Sequence, residues 1–339
     1  MSGALDLAAS NLLSPMVLFF ALGIAAAAAR SDLEIPQAVA KAMALYLMLA
    51  IGFKGGVGVS EHGLDLGALA GLVAAVALSF LIPLIAYWCI RLNGALPRVD
   101  AAAVAAHYGS ISIVTFAVAV DQLTGLDIGY EGYLVAAAAA MEAPAIVSGL
   151  LLAQRHGQAK HDRGGSATGL NPPGSGALMR EVAFNGAIVV LLGAFLIGWL
   201  TGRDGLDDIS PLIVDPFKGV LCLFLLDMGL VAGRGLRKGL GDLRLPMLSF
   251  GLYMPLIGGA LGAATAWLLG LSAGGAALLI TLAASASYIA VPAAMRLALP
   301  EARPSIYLTL SLGITFPFNL AIGIPLYIGV AQWLTAPSF

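Results

Sequence analysis

Residues 110–112 read Ser-Ile-Ser and residues 285–287 read Ser-Ala-Ser, each set inside an otherwise apolar run. Ser110 lies ten residues after Asp100, and Ser285 lies eleven before Arg296, two charges assigned to the same membrane face. At about 1.5 Å per helical residue this is about 15 Å, half of a hydrocarbon core roughly 30 Å thick. Paired polar breaks at matching depth, one in each half of a chain, point to the midplane site of an inverted-repeat transporter.

Composition agrees with a membrane chain. The 339 residues are 60% hydrophobic and 11% charged, with mean hydropathy +0.93, whereas soluble domains carry about 25% charged residues. Cys89 and Cys222 both lie in apolar runs, so no disulfide framework is implied. With Asp6 and no basic residue before Arg30, the N-terminus lacks the form of a cleavable signal peptide, and the first apolar run is expected to be retained. There is no glycine-rich phosphate loop, zinc-spaced His/Cys cluster or nucleophile elbow, so neither an enzyme nor a nucleic-acid partner is expected.

Apolar segments of spanning length fall at 11–29, 37–59, 67–90, 101–120, 132–153, 183–201, 212–232, 246–270, 273–295 and 305–334. The fold expected is an all-α polytopic membrane protein of ten transmembrane helices, in two repeats of five. Residues 1–153 form the first repeat, 154–180 a Gly/Ser/Pro-rich basic cytoplasmic linker, and 181–339 the second repeat. With the N-terminus outside, only Lys54, Arg203 and Lys218 of the seventeen basic residues fall outside. The positive-inside rule thus places the chain in the cell (inner) membrane as a multi-pass protein with both termini outside the cytoplasm.

Five helices from one side and five from the other give halves of opposite topology. The halves also echo each other in sequence. Residues 49–56 (LAIGFKGG) resemble 226–233 (LDMGLVAG), Ser110-x-Ser112 pairs with Ser285-x-Ser287, and Glu142-Ala143-Pro144 pairs with Thr315-Phe316-Pro317.

Serine and threonine in a membrane helix commonly bond the carbonyl one turn back or bridge helices. Here they are paired, repeated, and followed by Thr115 in one half and Pro292 in the other. Broken helices at the midplane are tolerated only around a cavity or a protein-filled site. Hydroxyls and freed carbonyls suit a small cation, and exposed amides at half-helix N-termini suit an anion. Glu142 is a carboxyl near the midplane, a functional candidate as cation ligand or proton carrier. Asp227 and Lys54, on the two echoing helices, read as a scaffold ion pair or a snorkelling lysine. His107 and Tyr108 precede the first serine stretch.

The chain resembles the sodium-dependent bicarbonate transporters of the cyanobacterial SbtA type over nearly all its length. The residues that carry the likeness are 52–57 (GFKGGV), 108–115 (YGSISIVT), Tyr130-Glu131, 141–145 (MEAPA), Met228-Gly229, 283–292 (AASASYIAVP) through Arg296, and 321–332 (AIGIPLYIGVAQ). The resemblance implies two inverted repeats divided into a gate domain (helices 1, 2, 6 and 7) and a substrate-carrying core domain. It also implies sodium–bicarbonate symport, a homotrimer, and a PII-like regulator at the cytoplasmic face. By position, Ser112, Thr115, Ser285 and Ser287 would face sodium and bicarbonate, with Glu142 standing where the family tends to have aspartate. The family pattern has Ser-Gly-Ser-Thr where this chain has Ser112-Ile113-Val114-Thr115, and aspartate where Tyr288 stands.

The function expected is secondary active transport of a small anion, with bicarbonate first, as sodium-coupled symport by an elevator-like alternating access. The site set is Ser110, Ser112, Thr115, Glu142, Ser285, Ser287, Tyr288 and Thr315. Ser112, Thr115 and Ser287 are the expected sodium ligands; sodium is the expected coupling ion, no cofactor is expected, and membrane lipid is an expected partner. Two alternatives are a proton-coupled carrier of another small carboxylate, acting through Glu142, and a transport-inactive receptor that anchors a soluble regulator through residues 154–180.

Overall fold

A computed structural model describes residues 12–63, 65–92, 96–161, 186–239, 245–289, 291–292, 294–295, 299 and 301–336. Twelve helices organise them. They are α1 Pro15–Ala28, α2 Gln37–His62, α3 Leu66–Leu92, α4 Arg98–Gly109, α5 Ile113–Gly125 and α6 Leu134–Ala140. They continue with α7 Glu142–His161, α8 Gly186–Ile213, α9 Phe217–Gly239, α10 Leu245–Leu269, α11 Ala273–Ala284 and the composite α12 Pro304–Thr335. Eight stretches of the described residues are long and apolar enough to cross a membrane, counting α4 with α5 and α6 with α7 as one each. This is a polytopic all-α membrane protein.

The expected runs 11–29 and 273–295 differ from full spans. They hold α1, of 14 residues, and α11, of 12, which reach about 21 and 18 Å, short of a core roughly 30 Å thick. α11 stops because Ser285 turns extended, at φ −86° and ψ 165°. Two other helices run past the apolar segments expected for them, α7 beyond residue 153 and α8 beyond residue 201 to Ile213. α7 runs on to His161, eight residues into the stretch read as linker; residues 162–180 of that stretch, and Arg296, lie outside the described residues. α8 is kinked at Gly202, whose φ of 60° places it in the left-handed region that glycine adopts freely.

Packing divides the helices into two groups. α1 lies along α9 and α2 along α8, while α4 packs on α3 and α7, and α11 on α10 and α12. Small residues set the first group's spacing. A Cβ at Gly52 or Gly56 would meet the α8 carbonyls of Leu191 or Phe195 at 2.3 and 1.9 Å. One at Gly229 would meet the Phe20 carbonyl of α1 at 2.2 Å, and one at Gly233 the Ala27 side chain at 2.7 Å. The glycine echo between 49–56 and 226–233 therefore marks equivalent close approaches, the small-residue packing common between membrane helices.

The second group surrounds α4 and α5, whose apolar window is wholly buried. Alanines 101–103, 105 and 106 let α4 sit at the centre. α12 widens into π-helix over Thr309–Thr315 and Asn319–Gly323. Pro317 follows the first stretch and Pro325 the second, and the wider turn accommodates rings that cannot donate to the ladder.

Gly56→Val is expected to destabilise the protein by about 1–3 kcal/mol through overpacking against α8. Gly193→Ala, where an added Cβ has nothing within 4 Å, is expected to leave the midpoint unchanged. Thermal unfolding in detergent checks both.

Candidate functional site

The two serine stretches meet. α4 ends at Gly109, Ser110 and Ser112 are extended (φ −90°, ψ 152° and φ −101°, ψ 106°), and α5 begins at Ile113. The second stretch leaves α11 at Ala284, turns extended at Ser285 and carries no regular structure over 285–287. The Ser112 amide donates to Ser285 Oγ at 3.0 Å, and the Ser287 amide donates to the His107 carbonyl at 2.8 Å. Each unwound segment thus supplies partners to backbone groups that the other break set free.

Hydrogen-bond accounting separates the hydroxyls. Ser285 Oγ donates to the Leu282 carbonyl at 2.9 Å and accepts from Ser112, so its proton is used within the scaffold. Ser112 caps α5: its Oγ accepts from the Thr115 amide at 3.2 Å and from Thr115 Oγ1 at 2.9 Å. Those two bonds occupy its lone pairs and leave its own proton to donate. Thr115 Oγ1, having donated, keeps its lone pairs. The α5 amides of Ile113 and Val114 have no carbonyl one turn back within the helix.

Thr315 is also committed. Its Oγ1 donates to the Gly251 carbonyl at 2.7 Å, so Tyr108 Oη, also 2.7 Å away, must donate to it. That hydroxyl ties α4, α10 and α12 together. Tyr288 is buried, packed edge-on against Phe316 with ring centroids 5.2 Å apart, and its hydroxyl nears Ser112 without closing a hydrogen bond. Ser110 Oγ and Glu142 Oε2 are buried without a partner. Glu142 opens α7, directly after Met141, whose carbonyl accepts from Ser79 Oγ of α3. Ser112, Thr115, Ser285, Ser287 and Tyr288 therefore gather at one crossing, and Thr315 reaches it through Tyr108.

Lys54 and Asp227 do not pair. Lys54 Nζ instead sits over the Phe217 ring, 4.8 Å from its centroid. Among the described residues no three His, Cys, Asp or Glu side chains group as a metal site would. A cation here would be held by hydroxyl and carbonyl oxygens.

Three supports escaped the sequence reading. Asn319 Nδ2 donates to the Ala284 carbonyl, left free at the end of α11, at 2.9 Å, and Tyr327 Oη holds its Oδ1 at 2.8 Å. A lone amide in an apolar run was the available signal. Asp100, in the first turn of α4, accepts from the Arg303 amide at 2.8 Å, from Nε at 2.9 Å and from Nη2 at 2.7 Å. Glu131 accepts from the Ser272 amide and hydroxyl, both at 2.8 Å, where Ser272 caps α11.

Arg303→Ala is expected to cost about 2 kcal/mol, because it strips a buried carboxylate of its charged hydrogen bonds. Arg303→Lys is expected to recover only part of this, since lysine lacks the fork; detergent unfolding of both variants measures it.

A family model described as the Na+-dependent bicarbonate transporter superfamily matches residues 15–332. No curated protein matches the chain.

Proposed function

The chain belongs to the Na+-dependent bicarbonate transporter superfamily, and from that premise we propose that it carries bicarbonate into the cell together with sodium. The observation that carries this reading is the division of labour at the crossing. The first amides of α5 and the Ser112 proton are donors at a helix N-terminus, where the dipole favours an anion. Beside them Thr115 Oγ1 keeps lone pairs for a small cation. Ser287 and the carbonyls of the extended stretches complete the proposed sodium shell.

Coupling has an electrostatic reason. An anion entering a cell that is negative inside works against about 2.3 kcal/mol per 100 mV, and one sodium ion cancels that charge. Two inverted repeats of five crossings are part of the same proposal. It is supported by the matching pairs α1–α9 and α2–α8, by α3–α4 beside α10–α11, and by the glycine echo. Alternating access would move α3–α7 and α10–α12 against α1, α2, α8 and α9, in the manner of an elevator. The inner-membrane orientation rests on the charge pattern, and the homotrimer and PII-like regulator rest on the family likeness.

A second reading is supported by Glu142, whose Oε2 is buried without a partner: a proton-coupled carrier of another small carboxylate.

Labelled bicarbonate uptake into proteoliposomes decides between them. An inward sodium gradient is expected to drive accumulation that an equal potassium gradient does not. Ser112→Ala is expected to lower the rate about tenfold or more, the effect of about 1.4 kcal/mol. Sodium-independent, proton-driven uptake lost in Glu142→Gln would overturn the first reading in favour of the second.

A further inference from the structure

An acid on α5 pairs with a lysine on α9, and the two helices belong to different packing groups. Asp121 stands nine residues after Ser112, about 14 Å along α5 from the crossing. Its Oδ2 lies 3.3 Å from Nζ of Lys218, in the first turn of α9. The carboxylate side chain is 15% exposed and the lysine 57%. A second cation stands near. Lys54 Nζ of α2 lies over the ring of Phe217, the residue before Lys218, and also feels the Asp121 charge. α5 packs against both α9 and α2. By contrast, Arg203 pairs with Glu61 and Asp207 inside the group of α1, α2, α8 and α9, and Arg303 pairs with Asp100 inside the other. The Asp121–Lys218 pair crosses the boundary between the groups.

A mostly buried carboxylate on a helix whose apolar window is buried throughout is costly in a membrane, and such a group is by default a functional candidate. A brace would serve best inside one rigid body. Across a boundary that slides, the same pair is made at one position and strained or broken at the other, because its acid travels with α5 and its lysine stays with α9. A contact present in one state and not in the other biases the equilibrium by the difference. We propose that Asp121 and Lys218 form an electrostatic latch between core and scaffold, with Lys54 adding to the attraction, which favours the arrangement seen here over the displaced one. The latch presupposes the moving core of the functional reading above. The exposure of Lys218 sets its strength. Ion pairs open to solvent are weak, so this one biases the carrier without locking it, and cargo binding can overcome it.

The test measures the separation of spin labels on the full chain in nanodiscs. Leu151 of α7 and Leu200 of α8, both exposed and one on each group, are replaced by labelled cysteine in a Cys89→Ala/Cys222→Ala background. Two separations are expected, one of them that of the arrangement described here. Asp121→Asn and Lys218→Gln are each expected to lower the share of that arrangement relative to the displaced one by about threefold. Lys218→Arg is expected to keep it, and the exchange Asp121→Lys/Lys218→Asp to restore most of it. Raising potassium chloride from about 0.1 M to about 1 M, which cuts the screening length from about 10 Å to about 3 Å, is expected to move the unexchanged pair in the same direction and leave Asp121→Asn where it is. Two separations whose ratio ignores salt and both neutralised variants would overturn the latch and leave the moving core standing. One separation in every variant, unmoved by sodium with bicarbonate, would overturn the moving core and the latch together. The salt series needs no substitution at the pair, so a variant that does not fold leaves the latch open to refutation.

Discussion

Two unwound stretches of backbone that satisfy each other are the constraint on which the rest of this molecule depends. Inside a membrane there is no water to pair with a free amide or carbonyl, so neither break is tolerable alone. The break after α4 frees the His107 carbonyl and the Ser112 amide, and the break after α11 supplies the Ser287 amide and the Ser285 hydroxyl that meet them. The residual carbonyl of Ala284 is taken by Asn319 of α12. The two halves of the chain must therefore fold onto each other. This is why α4 and α5 lie at the centre with their whole apolar window buried, while α8 and α10 can give much of their surface to lipid.

The same logic extends to the far ends of the helices that lead into the crossing. α4 and α11 are each 12 residues long. The first turn of α4 is held by Arg303, which lies just before α12, and the cap of α11 is held by Glu131, which lies just before α6. Each half-helix is thus anchored at its start by a residue of the opposite half of the chain. An element fixed at its N-terminus by charged hydrogen bonds and at its C-terminus by the opposite break has little freedom to bend. Any displacement of the crossing then has to be a displacement of the whole group, which is the mechanical condition that the proposed elevator motion requires.

How much of this was legible in the sequence follows from which interactions are local. The breaks were legible because Ser-x-Ser stands out in an apolar run, and the glycine echo because close helix approach demands the smallest residue on both sides. The commitment of each hydroxyl was not, because it depends on partners far along the chain. Thr315 looks like a free hydroxyl until Gly251 and Tyr108 are brought to it. Asp100 served only as a depth marker, since nothing near it in sequence announces Arg303. Lys54 and Asp227 invited pairing because they lie on echoing helices, but they stand at different positions of the echo, Lys54 opposite Val231 and Asp227 opposite Ala50, and Lys54 finds the Phe217 ring instead.

Within the crossing itself the two serine stretches, alike in sequence, are unlike in chemistry, and helix polarity accounts for it. Ser285 follows the C-terminus of α11, where unpaired carbonyls draw its proton, and its hydroxyl donates to Leu282. Ser112 precedes the N-terminus of α5, where unpaired amides draw its lone pairs, and its oxygen accepts from Thr115. Ser285 therefore spends its proton, and Ser112 spends its lone pairs. Of these two, Ser112 retains a proton to donate, and it does so where the helix dipole is positive. The anion in the proposed mechanism accordingly belongs on the α5 side of the crossing. Ser110, the C-cap of α4 and the counterpart of Ser285, keeps its hydroxyl unpartnered, so the two halves are inequivalent where the cargo would sit.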